Sequence, residues 1–148
     1  MNEKFYLESD INEIVNNLKK YHKKIYGKKF LISGANGFLG KYFLKTLLKI
    51  NNKTKNKIKI LAIDIKFDSC ELYKDKNVIK IKKDINKIEN YNFKCDYILH
   101  AAGIPSPKHY YNKPIEAIFT SITATKKLLD YAKKINAKFI FFSSSEIY

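Results

Sequence analysis

Arginine is absent from this chain of 148 residues: all 29 basic residues are lysine, set against 14 acidic ones for a net charge of +15. So basic a chain invites a nucleic-acid reading. Arginine, however, is the residue best suited to bidentate phosphate and base contacts. The lysines are also spread along the whole chain and form no block, which argues against nucleic-acid binding as the main function. Abundant Lys, Asn and Ile fit the nucleotide bias of an AT-rich genome. Long apolar runs are missing too. None approaches the roughly 18 residues of a membrane span, and the densest late cluster is Phe139 to Phe142. The N-terminus carries Glu3, Glu8 and Asp10 without an apolar core segment, so no signal peptide is visible and no membrane association is expected. Cysteine is scarce. Cys70 and Cys95 show no metal-ligand spacing and suit a reducing cytoplasm, the expected location. Glycine is scarce as well, with five in all, and three of the five fall within seven residues.

That run, Gly34-Ala35-Asn36-Gly37-Phe38-Leu39-Gly40, is the most informative part of the chain. It follows a short apolar stretch, Phe30 to Ser33, and precedes an amphipathic run from Lys41 to Lys49. Strand, glycine turn and helix in that order form the setting of a dinucleotide phosphate site. Glycines let the backbone turn tightly, approach a pyrophosphate and pack helix on strand. The helix N-terminus then offers unpaired N–H groups and the positive end of its dipole to the anion.

The remaining pattern alternates strands and helices. Residues 9–22 read as an amphipathic helix, with Asp10 and Glu13 at capping-box spacing and Ile11, Ile14, Val15 and Leu18 on one face. Strands are expected at Lys28 to Ser33, Ile58 to Asp64, Val78 to Lys82, Asp96 to His100 and Lys138 to Ser143. A helix follows the glycines, and another spans roughly Pro114 to Asn136, with a break early in it. This order predicts an α/β fold with a parallel sheet and right-handed crossovers. The expected organisation is an N-terminal helical extension, 1–27, followed by a nucleotide-binding domain, 28–148.

The spacing G-x-x-G-x-x-G resembles the short-chain dehydrogenase/reductase superfamily, and Gly37-Phe38-Leu39-Gly40 looks like its extended branch of NAD-dependent nucleotide-sugar epimerases, dehydratases and decarboxylases. The resemblance implies a Rossmann-like doubly wound sheet in the order 3-2-1-4-5. It also implies NAD bound by Gly34, Asn36, Gly37, Phe38, Leu39 and Gly40. In such a fold Asp64, ending the second strand, accepts the adenine ribose hydroxyls and repels the extra phosphate of NADP. The bland alternative is a solvated turn acid, and nearby Lys66 weakens the preference. Asp84-Ile85 resembles the pair whose acid meets the adenine amino group, although an ordinary loop acid fits too. Ala101, Ala102 and Gly103, small residues after the fourth strand, let backbone approach the cofactor, and His100 before them reads as structural rather than as a general base. Ser121 stands where the family usually has Asn, and Ala124 where it usually has Gly.

Two further segments carry the chemistry that the resemblance implies. Ser106-Pro107-x-x-Tyr110 is similar to the substrate loop of UDP-glucuronate decarboxylases, with a proline-stiffened loop as the alternative. Ser144-Ser145-Glu146 resembles the catalytic segment after the fifth strand. Ser144 would bind the substrate's reacting oxygen. Ser145-Glu146 leans toward decarboxylase, because dehydratases usually have Asp at the position of Ser145. No tyrosine is followed by lysine four residues on, so the Tyr-x-x-x-Lys base of the family is not in these residues. The resemblance covers the first half of such an enzyme, and a fragment is expected, with little turnover on its own. The partners implied are a nucleotide sugar, a UDP-sugar first, drawn in by the positive field, and a second copy in the full-length form. A noncatalytic NAD-binding module is the alternative of another class.

Overall fold

The computed structural model describes residues 7–88, 93–103, 111–112 and 114–143. Five strands form one parallel sheet in the order β3-β2-β1-β4-β5: β1 Lys29–Ser33, β2 Lys59–Asp64, β3 Val78–Lys82, β4 Tyr97–His100 and β5 Lys138–Phe141. The order reverses direction at β1, which pairs with β2 on one side and β4 on the other. An open parallel sheet has its crevice at such a reversal, outside the carboxyl ends of the strands. The Rossmann-like fold expected from the glycine run is therefore the fold found.

The central strands are buried on both faces, as parallel sheets demand. Phe30, Ile32, Ile60 and Ala62 point into one apolar cluster, and Leu31, Leu61, Ile63 and Ile98 into the other. This is the period-two alternation of a strand, with a layer waiting on each side. Helix α3 (Phe38–Asn51) covers the first face through Leu44, Leu47 and Leu48. Helix α5 (Thr125–Ile135) covers the second through Leu128 and Ala132. Each fully buried Leu or Ile contributes about 2 kcal/mol. At one edge, β3 carries Lys80 and Lys82, charges that discourage further strand pairing.

The N-terminal helix begins earlier than its capping-box spacing suggests. Helix α1 runs over Glu8–Asn17, and its N-cap residue, Leu7, makes no side-chain cap. Asp10 is diverted: it accepts the Tyr42 hydroxyl at 2.9 Å, a tertiary bond that competes with capping. Glu8 meets both Lys45 (3.0 Å) and Lys49 (3.1 Å) of α3, and these bonds hold its carboxyl below the usual range. Ile11 and Val15 are buried in the same cluster as Phe30 and Leu44, so α1 braces α3. A 3-10 turn at Lys19–Tyr21 and the short helix α2 (His22–Ile25) complete what the periodicity presents as one helix.

The long helix expected over 114–136 is interrupted. Helix α4 (Pro114–Phe119) passes through a π segment, Thr120–Ala124, into α5. At the junction with α5 the Thr125 hydroxyl donates to the Ser121 carbonyl at 2.5 Å, a side-chain bond of the kind that bends helices. Asn136 ends α5 in the left-handed region, φ 56°, which asparagine tolerates better than most residues.

Candidate functional site

A cleft of about 630 Å³ lies at the sheet's reversal point. Gly34, Asn36 and Gly37 line it from the turn after β1, Asp64 from the end of β2, Asp84 and Ile85 from the loop after β3, and Ala101, Ala102 and Gly103 from the end of β4. Nine residues singled out in the sequence thus converge on one opening.

The turn is built by backbone bonds. The N–H groups of Gly34 and Ala35 donate to the Ile63 carbonyl at 3.0 and 3.2 Å, and that of Gly37 donates to the Gly34 carbonyl at 3.1 Å. Gly34 has φ +72°, and a Cβ there would stand 2.6 Å from the backbone of Ala101. Glycine is required on both counts. Gly40 does not line the cleft. A Cβ on it would stand 2.7 Å from the Cα of Ala35, so this glycine lets α3 pack against the turn. Phe38 and Leu39 are also outside the lining, with side chains 65% and 41% exposed. Their backbone N–H groups belong to the first turn of α3, where no intrahelical acceptor exists.

Asp64 is held from two sides. Its Oδ2 accepts the Asn36 N–H at 2.8 Å, and its Oδ1 accepts the Lys66 N–H at 3.3 Å. Each oxygen keeps a lone pair for a further donor. Asp84 caps the 3-10 turn Ile85–Lys87 by accepting the Asn86 N–H at 2.9 Å, so its placement satisfies the loop reading as well as the adenine one. Beside it, the buried Asn86 Oδ1 has no hydrogen-bond partner among the described residues.

His100 does not line the cleft. Its Nδ1 lies 2.5 Å from the Ser33 hydroxyl and its Nε2 lies 3.1 Å from the Thr125 hydroxyl. The Thr125 proton already goes to the Ser121 carbonyl, so Nε2–H donates to Thr125 and Nδ1 accepts from Ser33. Burial pushes the imidazole down to about 4. We expect His100 to stay neutral throughout pH 5–8, with its ring shifts in an NMR titration unmoved over that range. Between an unfolded value near 6.5 and about 4, the unfolded chain binds the extra proton, so His100 withdraws stability as the pH falls through this window. A midpoint near 6.5 in the folded protein contradicts this arrangement.

Ser121 does not line the cleft either; Glu116, Phe119 and Thr123 do. These three are spaced i, i+3, i+7, one helical face, and that periodicity is the signal by which they could have been found. Ile63, Ile65, Lys66, Lys83 and Asn86 complete the wall. Ser106, Pro107 and Tyr110 of the expected substrate loop lie outside the described residues, as do Ser144, Ser145 and Glu146.

A glycine turn against a helix N-terminus, an acid at the end of the second strand and a cleft at the switch point define a dinucleotide-binding α/β protein. Residues 30–148 match the model of the NAD dependent epimerase/dehydratase family, and the chain belongs to that family. NAD, the cofactor expected from Asp64, is the cofactor of the family.

Three relatives locate it further. The bifunctional polymyxin resistance protein ArnA of Wigglesworthia glossinidia brevipalpis is 33% identical over 140 residues, which are 91% of this chain and 20% of that protein. UDP-glucuronic acid decarboxylase 2 of Arabidopsis thaliana is 27% identical over 127 residues, 82% of this chain and 27% of that one. Among solved structures, the UDP-N-acetylglucosamine 4-epimerase of Methanobrevibacter ruminantium, in complex with UDP-N-acetylmuramic acid, is 26% identical with a TM-score of 0.68. That match covers 82% of this chain and 39% of the epimerase. The chain thus spans well under half the length of these relatives.

The cleft fits the cofactor. The face of Gly34 is closed to any side chain, and Asp64 presents two free acceptor positions. No helix among the described residues is long and apolar enough to cross a membrane.

Proposed function

We propose that this chain is the NAD-binding part of a nucleotide-sugar enzyme that oxidises C4 of a UDP-glucuronate-type substrate and releases its carboxylate as CO2. The observation that carries the reading is the cleft at the β1/β4 reversal, lined by Gly34 and Asp64 at the ends of the adjacent strands β1 and β2. The adenosine ribose would hydrogen-bond the Asp64 carboxylate, and the pyrophosphate would sit against the turn and the first N–H groups of α3. Adenine would lie toward Asp84, Ile85 and Asn86. NAD supplies a hydride acceptor when bound. Ala101, Ala102 and Gly103 keep this side of the cleft free of large side chains.

For the sugar chemistry, the sequence of Ser106-Pro107-x-x-Tyr110 and the Ser145-Glu146 pair support decarboxylation, and similarity to ArnA and a UDP-glucuronic acid decarboxylase supports the same choice. In this reading Ser144 holds the C4 oxygen and Glu146 acts beside it. The likeness to a 4-epimerase supports the second reading, C4 epimerisation, with 4,6-dehydration as a variant of it. Ile115 and Ile118 of α4, Ile122 of the π segment and Leu129 of α5 are exposed and support a homodimer in the full-length form.

The test is to read the native reading frame past codon 148 and to assay its whole product with NAD and UDP-glucuronate. We expect the frame to continue to a Tyr-x-x-x-Lys pair, and the product to release CO2 and a UDP-pentose as a species of twice the protomer mass by light scattering. A 4-epimer without CO2 selects the second reading. A stop codon after Tyr148, with NAD binding intact, selects a noncatalytic NAD-binding module. The 148 residues alone are expected to bind NAD without measurable turnover.

A further inference from the structure

The glycine turn is tied to the segment that follows β2. Tyr73 lies on the 3-10 turn Glu71–Lys74 and is buried. Its hydroxyl points at the Asn36 Oδ1, 2.9 Å away, and at the Ala35 carbonyl, 3.1 Å away. Both are acceptors, so the single phenolic proton is shared between two neighbouring residues of the turn. The Asn36 Oδ1 also receives the Asp68 N–H at 3.4 Å. Asp68 in turn holds the buried Lys41 ammonium at 2.5 Å, one residue past Gly40. Phe67 packs edge-on against the Tyr73 ring at 4.8 Å. The side chain of Asn36 is therefore fixed by the segment after β2, and its backbone N–H is fixed on Asp64.

We propose that Tyr73 is a positioning residue of the dinucleotide site: its hydroxyl clamps Asn36, so that the turn and the Asp64 carboxylate stand in their binding arrangement before any cofactor arrives. This rests on the NAD reading above. Tyr73 does not line the cleft, so it acts through Asn36 and touches no ligand. A loop held in its bound shape loses less freedom on binding, and the gain appears as affinity.

Tyr73→Phe removes the hydroxyl and keeps the ring against Phe67. Titration calorimetry of the 148-residue chain is expected to show the Kd for NAD rising about tenfold, the scale of one hydrogen bond to a site residue. ADP-ribose should weaken in parallel. Asn36→Ala is expected to produce a similar loss, and the double variant Tyr73→Phe/Asn36→Ala no further loss, because both remove one clamp. In the ligand-free protein, amide exchange at Asn36 should quicken about tenfold in Tyr73→Phe while exchange in β1 stays at the wild-type rate. Additive losses in the double variant, or unchanged exchange at Asn36, overturn the proposal. A uniform loss of protection across the sheet also overturns it, since that marks Tyr73 as ordinary core. If the wild-type chain itself fails to take up NAD, the functional reading falls, and the exchange at Asn36 still decides whether Tyr73 holds the turn.

Discussion

Alanine at position 34 is expected to destabilise the chain by about 3 kcal/mol and to abolish NAD binding. Two costs combine. A side chain at φ +72° costs about 1 kcal/mol, and forcing a methyl into packed backbone costs about 2 kcal/mol more. The atoms in the way are the backbone of Ala101 and Ala102, which have no rotamer by which to retreat. Relief can come only by separating the ends of β1 and β4, which widens the crevice where a cofactor would lie. Thermal unfolding should show a midpoint about 10 °C lower, and calorimetry no heat with NAD. A variant that melts within 2 or so degrees of wild type means the turn can shift without disturbing β4.

Removing the Asp64 carboxylate should have the second-largest effect. Asp64→Ala takes away the acceptors offered to the ribose, and hydrogen bonds to a charged group contribute about 2 kcal/mol, or roughly thirtyfold in Kd. It also leaves the N–H groups of Asn36 and Lys66 without the acceptor they now share, which loosens the turn. The preference for NAD over NADP should shrink toward unity, because the charge that repels a 2′-phosphate is gone. Lys66 and Lys83, both in the cleft wall, then face that phosphate without the Asp64 charge beside them. Calorimetry with both cofactors measures the two Kd values. A loss of less than threefold for NAD places the ribose elsewhere.

What could be read from the sequence follows from how local each cause is. The strands were legible because parallel strands buried on both faces are nearly continuous apolar runs, as in Phe30-Leu31-Ile32 and Ile60-Leu61-Ala62-Ile63. The fold order followed from strands alternating with helices. Gly34 and Asp64 were legible because their positions, a turn entering a helix and a strand end, are set by neighbours in sequence. Contacts made across the fold were not. Asp10 reads as a helix cap until Tyr42 is brought to it from 32 residues away. Ser121 matches a motif position, yet it is Thr123 of the π segment that lines the cleft. Tyr73 has no periodic signal at all. It sits in a short 3-10 turn, and its importance to Asn36 arises only when β2 lies beside β1.

The central place of β1 also has a consequence for how the cleft assembles. Pairing Lys29 with Lys59 closes a loop of about thirty residues, and pairing Phe30 with Tyr97 closes one about twice as long. Chain entropy penalises the longer closure more, but only by about 0.7 kcal/mol. That is less than the gain from burying a single leucine of β1. Entropy therefore sets no strong order between the two closures. The wall bearing Asp64 and the wall bearing Ala101 are gathered by the same strand, and a protein that has docked β1 has both.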